Sequence, residues 1–294
     1  MGSLISRPSG LLLLGLFACK GGEDTGDAEK AAVTGDTYTG LLRTLTFTHS
    51  EQTAQGEVSA GFDLDGAVTA FGDETGCGIP DMVAPDGTTG IDNNFARLLP
   101  ALEATEAVAV YGLIQAAINS GELLLIFEVS GVDSLENDDD VTFTLHRGMG
   151  QPLLDTDDFV SAGQTLDKDP SVAPIIVSKQ RIVDGTLDVR GIESLFLPIQ
   201  VFEVALDLYA FDAGFHIDFE EDGSYTGYFA GGTPIQPFIE LSQTAAIDGA
   251  LAATLQAVLP NLADLAPNDA GACQNISVTF EYTGVPAWLY ADEG

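Results

Sequence analysis

The sequence predicts an α+β fold, mainly antiparallel β with helices on one face or end, built from two duplicated halves. Three observations predict it: stretches in which apolar and polar residues alternate, an Asp-Gly turn between two such stretches, and two blocks that recur in the same order later in the chain.

In the first half, Asp92 and Asn93 are residue types that cap helices, and Phe95, Leu98, Leu99 and Leu102 follow at helical spacing. Pro100 breaks or kinks that run. Val110, Leu113, Ile114, Ala117 and Ile118 mark a second helix ending near Gly121. In the second half, Phe202, Val204, Leu206, Leu208 and Ala210 share one strand parity, with Glu203 and Asp207 on the other. Phe215, Ile217 and Phe219 alternate with His216, Asp218 and Glu220 up to Asp222-Gly223, a hairpin signal. Ile239 to Leu259 is Ala/Leu-rich and predicts a helix that stops at Pro260-Asn261. The last strand alternates Ile276, Val278, Phe280 and Tyr282 with Ser277, Thr279, Glu281 and Thr283.

The repeated blocks are Phe62 to Phe71 with Phe219 to Tyr228, and Phe127 to Val132 with Phe280 to Val285. Their nearly equal offset predicts a duplicated unit. Residues 38–150 then form a first β-rich half with helices and residues 186–294 a second. The acidic stretch within 151–185 connects them.

Forty-five acidic residues against ten basic ones give a net charge of −35. The basic residues form no cluster, which argues against nucleic acid and against adhesion to anionic lipid. Divalent cations or cationic partners suit such a field, as does an acidic surface that only keeps the protein soluble. At 45% hydrophobic residues the chain can still bury a substantial core.

Arg7 and the apolar run Leu11 to Ala18, too short to span a bilayer, predict a removed signal over residues 1–18. Leu16-Phe17-Ala18-Cys19 resembles a bacterial lipoprotein processing site, which implies diacylglycerol on Cys19 and cleavage before it. An ordinary secretory signal would export the chain equally. Lys20 is not the Asp that retains lipoproteins at the inner membrane, so the resemblance implies the outer membrane. Residues 19–37 carry the lipidated N-terminus and a flexible acidic stalk. Export leaves Cys77 and Cys273 as an even pair in an oxidising compartment, a disulfide that would fasten the two halves. Free thiols or a metal site are the alternatives, and neither cysteine has a ligand neighbour at metal spacing.

Gly78-Ile79-Pro80-Asp81 resembles part of a thrombospondin type 3 calcium repeat, with Thr75 and Cys77 where that family places aspartates. Calcium needs six to eight oxygen ligands, and Asp63, Asp65, Asp81, Asp86, Asp92 and Asn93 are the candidates. The competing reading makes Asp65-Gly66 and Asp86-Gly87 turns and Asp92 a helix cap. Glu136-Asn137-Asp138-Asp139-Asp140 reads as a solvated loop or a second ion site. Trp288 and Tyr290 read as core or as a ligand platform. No catalytic residue is assigned: His49, His146 and His216 are far apart, and no metalloprotease, nucleophile-elbow or phosphate-loop motif occurs.

Leu16 to Cys19, the acidic Gly-rich stalk, and the Phe62-Asp63-Leu64-Asp65-Gly66, Pro85-Asp86-Gly87 and Gly90-Ile91-Asp92-Asn93 segments make the chain resemble predicted outer-membrane lipoproteins of predatory and social Gram-negative soil bacteria. That resemblance implies a periplasmic or surface-exposed envelope protein. The expected role is a non-catalytic binding or structural module, membrane-held through its lipid, with an envelope or extracellular ligand and possible calcium stabilisation. An exported hydrolase of glycans or peptides is the alternative.

Overall fold

A computed structural model describes residues 35–291 except 55, 74, 105–108, 202–203 and 245–248. The signal segment, Cys19 and most of the stalk lie outside the described residues, as do Phe202 and Glu203 of the expected strand. What is described is mainly antiparallel β with few helices, as expected.

Strand β1 (Asp36–Phe47) leads into a small sheet of β2 (Glu51–Thr53), β3 (Gly56–Val58), β4 (Met82–Val83) and β5 (Thr89–Ile91). Helices α1 (Leu99–Glu103) and α2 (Ala109–Ser120) follow. Next come β6 (Leu125–Val132), β7 (Asn137–Met149), β8 (Thr165–Lys168), β9 (Ile175–Val183), β10 (Thr186–Val201), β11 (Val204–Phe219) and β12 (Tyr225–Pro234). Helices α3 (Gln236–Ser242) and α4 (Gly249–Leu262) precede β13 (Leu265–Pro267), β14 (Cys273–Pro286) and β15 (Trp288–Leu289).

Eight strands pair in a ring, β7-β6-β1-β14-β12-β11-β10-β9 and back to β7, with every neighbour antiparallel. Returning the ladder on itself removes most of the exposed edge that open sheets must protect, and eight strands leave an interior that side chains can fill. Aromatic residues fill it here. Phe229 stands opposite both Phe280 and Phe215 in register, with ring centroids 4.9 and 5.3 Å apart. Phe127 packs edge-on to Tyr225 at 4.8 Å, and each such pair adds about 0.5–1.5 kcal/mol beyond its burial. Gly40 makes room for them: a Cβ there would come within 2.6 Å of Tyr225 and 2.7 Å of Phe127. A side chain at Gly227 would collide with the His216 carbonyl, which instead accepts a 2.9 Å bond from the Tyr282 hydroxyl.

Outward positions are polar over much of β1, β6, β7 and β14, for instance Thr46, Glu128, Thr142 and Glu281. A barrel that spans a membrane shows the opposite pattern, apolar outside and polar within. No helix among the described residues is long and apolar enough to cross a membrane.

The helices gather at the mouth where β1 ends. Helix α2 buries Ile114 and Ile118 and packs on both β1 and β10, strands on opposite sides of the ring, so it lies across that mouth. Phe47 at the end of β1 stacks on Phe95 at 4.7 Å and meets Tyr111 of α2 edge-on at 5.9 Å. Helices α3 and α4 pack on each other and reach β11 and β14 respectively. The ring is incomplete beside them. β9 pairs with β10 only at Val183↔Thr186 and Ile182↔Leu187, while its pairing with β7 continues to Ile175, so β9 and β10 part toward the helical mouth.

Several expectations change in detail. The run from Asn94 is broken, as expected, into the short 3-10 segment Asn94–Arg97 and α1, and Pro100 falls in the first turn of α1, where its missing N–H is an orphan donor in any case. Asn93 occupies the cap position before Asn94–Arg97 but makes no capping bond. The single helix expected over 239–259 is two, α3 and α4, and α4 runs through Pro260 in its last turn. Segment 151–185 is more than a connection, because it supplies β8 and the ring strand β9. Residues 219–228 form a hairpin around Asp222-Gly223, whereas the matching 62–71 is a looped segment with one isolated bridge, Phe62 to Asp92. The described residues belong to one compact unit. Trp288 and Tyr290 are each 56% exposed, with β15 running parallel to β8, so neither closes the core.

Candidate metal centre

The segment from Ser59 to Arg97 lies against β14, held by a polar seam and a covalent bond. The Asn93 amide donates to the Thr48 carbonyl and Ser59 Oγ, and its oxygen accepts the Thr279 N–H. Asn94 donates to Asp264, which also accepts from the N–H and Oγ of Ser277. Arg97 bonds Asn94, pairs with Glu57 at 2.8 Å and donates to the Pro80 carbonyl. A disulfide joins Cys77 to Cys273 at the start of β14, with Cα atoms 6.1 Å apart. The expected pairing is therefore present.

Within this fastened loop, short aspartate turns aim carboxylates at one another. Asp63 Oδ1 accepts the Gly66 N–H at 2.6 Å and Asp65 Oδ1 the Ala67 N–H at 2.8 Å. Asp92 Oδ2 accepts the Leu64 N–H at 2.7 Å, and Asp81 Oδ2 accepts the Thr69 N–H at 2.6 Å. Each carboxylate is thus oriented by a single backbone donor and keeps capacity on its other oxygen. Asp63, Asp65 and Asp92 each place an oxygen so that all three lie within 4.8 Å of one another. Asp81 is near enough to feel the charges of Asp63 and Asp65 but is not one of the three whose oxygens converge.

Electrostatics follow from that crowding. Burial pushes the Asp92 carboxyl up to about 8 against the Leu64 hydrogen bond, and the charges of Asp264, Asp81 and Asp65 add to it. Asp81 is raised by burial first and then by Asp65 and Asp63. Among the described residues no ion pair neutralises any of the four. Arg190, the nearby cation, donates to the Asp63 backbone carbonyl at 2.6 Å and stacks over the Phe62 ring at 4.3 Å. A hard divalent cation fits this donor set, since carboxylate oxygens are its preferred ligands and its charge would relieve the repulsion.

The other candidates fall elsewhere. Asp86 closes its own turn onto the Thr88 N–H, a bond that holds its carboxyl below the usual range. Asn93 is committed to the seam, and Thr75 is engaged by Thr69. The Glu136–Asp140 cluster is not the expected loop, because Asn137 to Asp140 open strand β7; there Asp138 accepts from Asp140 and Asp133 while Asp139 pairs with Arg181. Sequence reading missed Asp264, the most consequential carboxylate in the seam. Burial pushes it up to about 6 against the bonds from Ser277 and Asn94. The folded protein therefore keeps a proton there between the ordinary value of 3.8 and about 6, where the unfolded chain has lost it. Stability falls as pH rises through that window, by up to about 3 kcal/mol. Urea midpoints between pH 4 and 7 check this, and the Asp264→Asn variant loses that part of the slope.

His216 has a carboxylate at each ring nitrogen: Nδ1 lies 2.7 Å from Asp188, Nε2 lies 3.3 Å from Asp218, and the ring stacks on Tyr228 at 4.5 Å. Burial opposes its protonation, and the two carboxylates outweigh burial, so its pKa is raised. With both nitrogens held by carboxylates it suits a paired imidazolium better than a general base. No known family, curated protein or solved structure matches this chain. Fold and site define a β-barrel carrying a disulfide-fastened acidic loop, and function is argued from that geometry alone.

Proposed function

We propose that the protein is an envelope-anchored lipoprotein that acts as a non-catalytic binding or structural module, with calcium stabilising its acidic loop. The observation that carries the calcium reading is the convergence of Asp63, Asp65 and Asp92, with Asp81 near them and no cation in direct contact among the described residues. Asp63, Asp65, Asp81 and Asp92 would hold the ion, whose role is to bind carboxylates that otherwise repel and so lock the loop to the barrel. The lipid anchor on Cys19 and the outer-membrane location rest on the processing-site resemblance. Polar outward faces on β1, β6, β7 and β14 with an aromatic interior support a barrel that is tethered, not inserted, although β9 to β11 also expose Ile176, Phe196 and Tyr209. A peptide hydrolase built on His216 with Asp188 and Asp218 is weighed against by the pairing of both ring nitrogens, and a glycan hydrolase would need two carboxyl groups facing each other across a deep cleft.

The duplicated origin of the halves also belongs here. Phe127 to Val132 on β6 and Phe280 to Val285 on β14 flank β1 on either side, which supports it, while the 62–71 block has no matching hairpin. Intact mass spectrometry of protein extracted from membranes tests the anchor. The expected mass begins at Cys19, carries acyl chains and lacks two hydrogens for the disulfide. A mass beginning at Met1 without lipid overturns the anchor.

A further inference from the structure

The slot left where β9 and β10 part is a cavity of about 420 Å³, within the range of small-molecule sites. Its walls are mainly apolar, with Leu145, Val172, Ala173, Ile175, Leu195 and Phe196, and its polar lining besides Arg147 is His146, Asp169 and Ser194. Two of these are unusually open for their type, Val172 at 47% and Phe196 at 41% exposure, and Phe196 stacks on the exposed Tyr209 at 5.1 Å. Apolar residues are also exposed elsewhere, such as Phe71 and Leu153, but here they border a cavity with mainly apolar walls at the break in the ring, the combination that marks a binding surface.

One cation stands in that slot. Arg147 lines it and is half-buried. Arg43, Arg97 and Arg181 pair directly with Asp157, Glu57 and Asp139, and Arg190 covers the Phe62 ring, but among the described residues Arg147 reaches no carboxylate directly. Asp169 acts on it at longer range, and that carboxylate is engaged by Ser171. A half-buried guanidinium is costly without a partner, and its planar donor fork matches a carboxylate.

We propose that the slot binds a free fatty carboxylate, its alkyl chain against Leu195, Ile175 and Phe196 and its head group on Arg147. A narrow gap between two diverging strands suits a linear chain, and an anionic head would pair with Arg147, a cation in no direct ion pair among the described residues, in competition with the longer-range pull of Asp169. This site is separate from the aspartate cluster and does not depend on it.

The test is displacement of a dansyl-labelled fatty acid from the full-length protein by decanoate, in excess chelator so that the calcium reading does not enter. Saturable binding is expected, with decanol about tenfold or more weaker than decanoate. Arg147→Gln abolishes that preference, and Ala173→Trp, at an exposed wall position, removes binding of both while leaving the melting temperature unchanged. Absence of saturable binding overturns the proposal. So does equal binding by wild type, Arg147→Gln and Ala173→Trp, the result expected if the slot instead takes a peptide strand along the unpaired edge of β10.

Discussion

Reducing the Cys77–Cys273 disulfide lowers the melting temperature by about 10–20 °C, from a stability loss of up to about 5 kcal/mol. The bond spans 196 positions, so the closed loop includes most of the ring strands and the chain-entropy contribution is near its upper range. Native strain and denatured-state structure reduce that figure, which is why it is a ceiling. The bond also has a local consequence. Cys77 lies in the short turn Gly76–Gly78 just before Asp81, and Cys273 opens β14, so opening the bond frees the acidic loop at its far end. The Cys77→Ser/Cys273→Ser variant is expected to match the reduced protein in thermal melts. Its calcium response is expected to weaken as well, because its aspartates are no longer held together. Identical melting with and without reductant contradicts this account.

If the acidic loop holds calcium as proposed, a thousandfold excess over the dissociation constant is expected to stabilise the oxidised protein by about 4 kcal/mol, with chelator removing the gain. The gain comes from binding carboxylates that are packed together without a counter-charge in contact. Asp92→Asn separates the two halves of that statement. In chelator at pH 8 the variant is at least as stable as wild type, because Asp92 is buried, 3% exposed, and its ionisation is opposed by its surroundings. In calcium the variant gains little. Asp86→Asn keeps the full response, since Asp86 serves only its own turn. Scanning calorimetry of the three proteins with calcium and with chelator checks the pattern.

Much of the barrel was legible in the sequence because its signal is local. The parity of Phe215, Ile217 and Phe219 and of Ile276, Val278 and Phe280 gave strands and their inward faces, and Asp222-Gly223 gave the hairpin. The closure was not legible. It depends on β9 pairing with both β7 and β10, and residues such as Lys179, Gln180 and Arg181 give β9 no clean alternation. Short helices were misjudged at their ends for a related reason: Asn93 and Asp92 are cap types, yet tertiary partners on β14 and at Leu64 take their side chains. Of the six proposed metal ligands, Asp63, Asp65 and Asp92 converge and Asp81 lies near them, because turns and the Phe62 to Asp92 bridge fold the loop back on itself. Asp86 and Asn93 do not, and no spacing rule separates them beforehand. Asp264 and Arg147 escaped notice because their importance lies in burial, which a sequence with so many charges does not display.

Isothermal titration of the chelator-stripped, oxidised protein with calcium bears most directly on the acidic loop as a cation site. Saturable heat is predicted for wild type and none for the Asp63→Asn/Asp92→Asn variant, with both showing the same circular dichroism. No heat from wild type, or the same heat from both proteins, would contradict it.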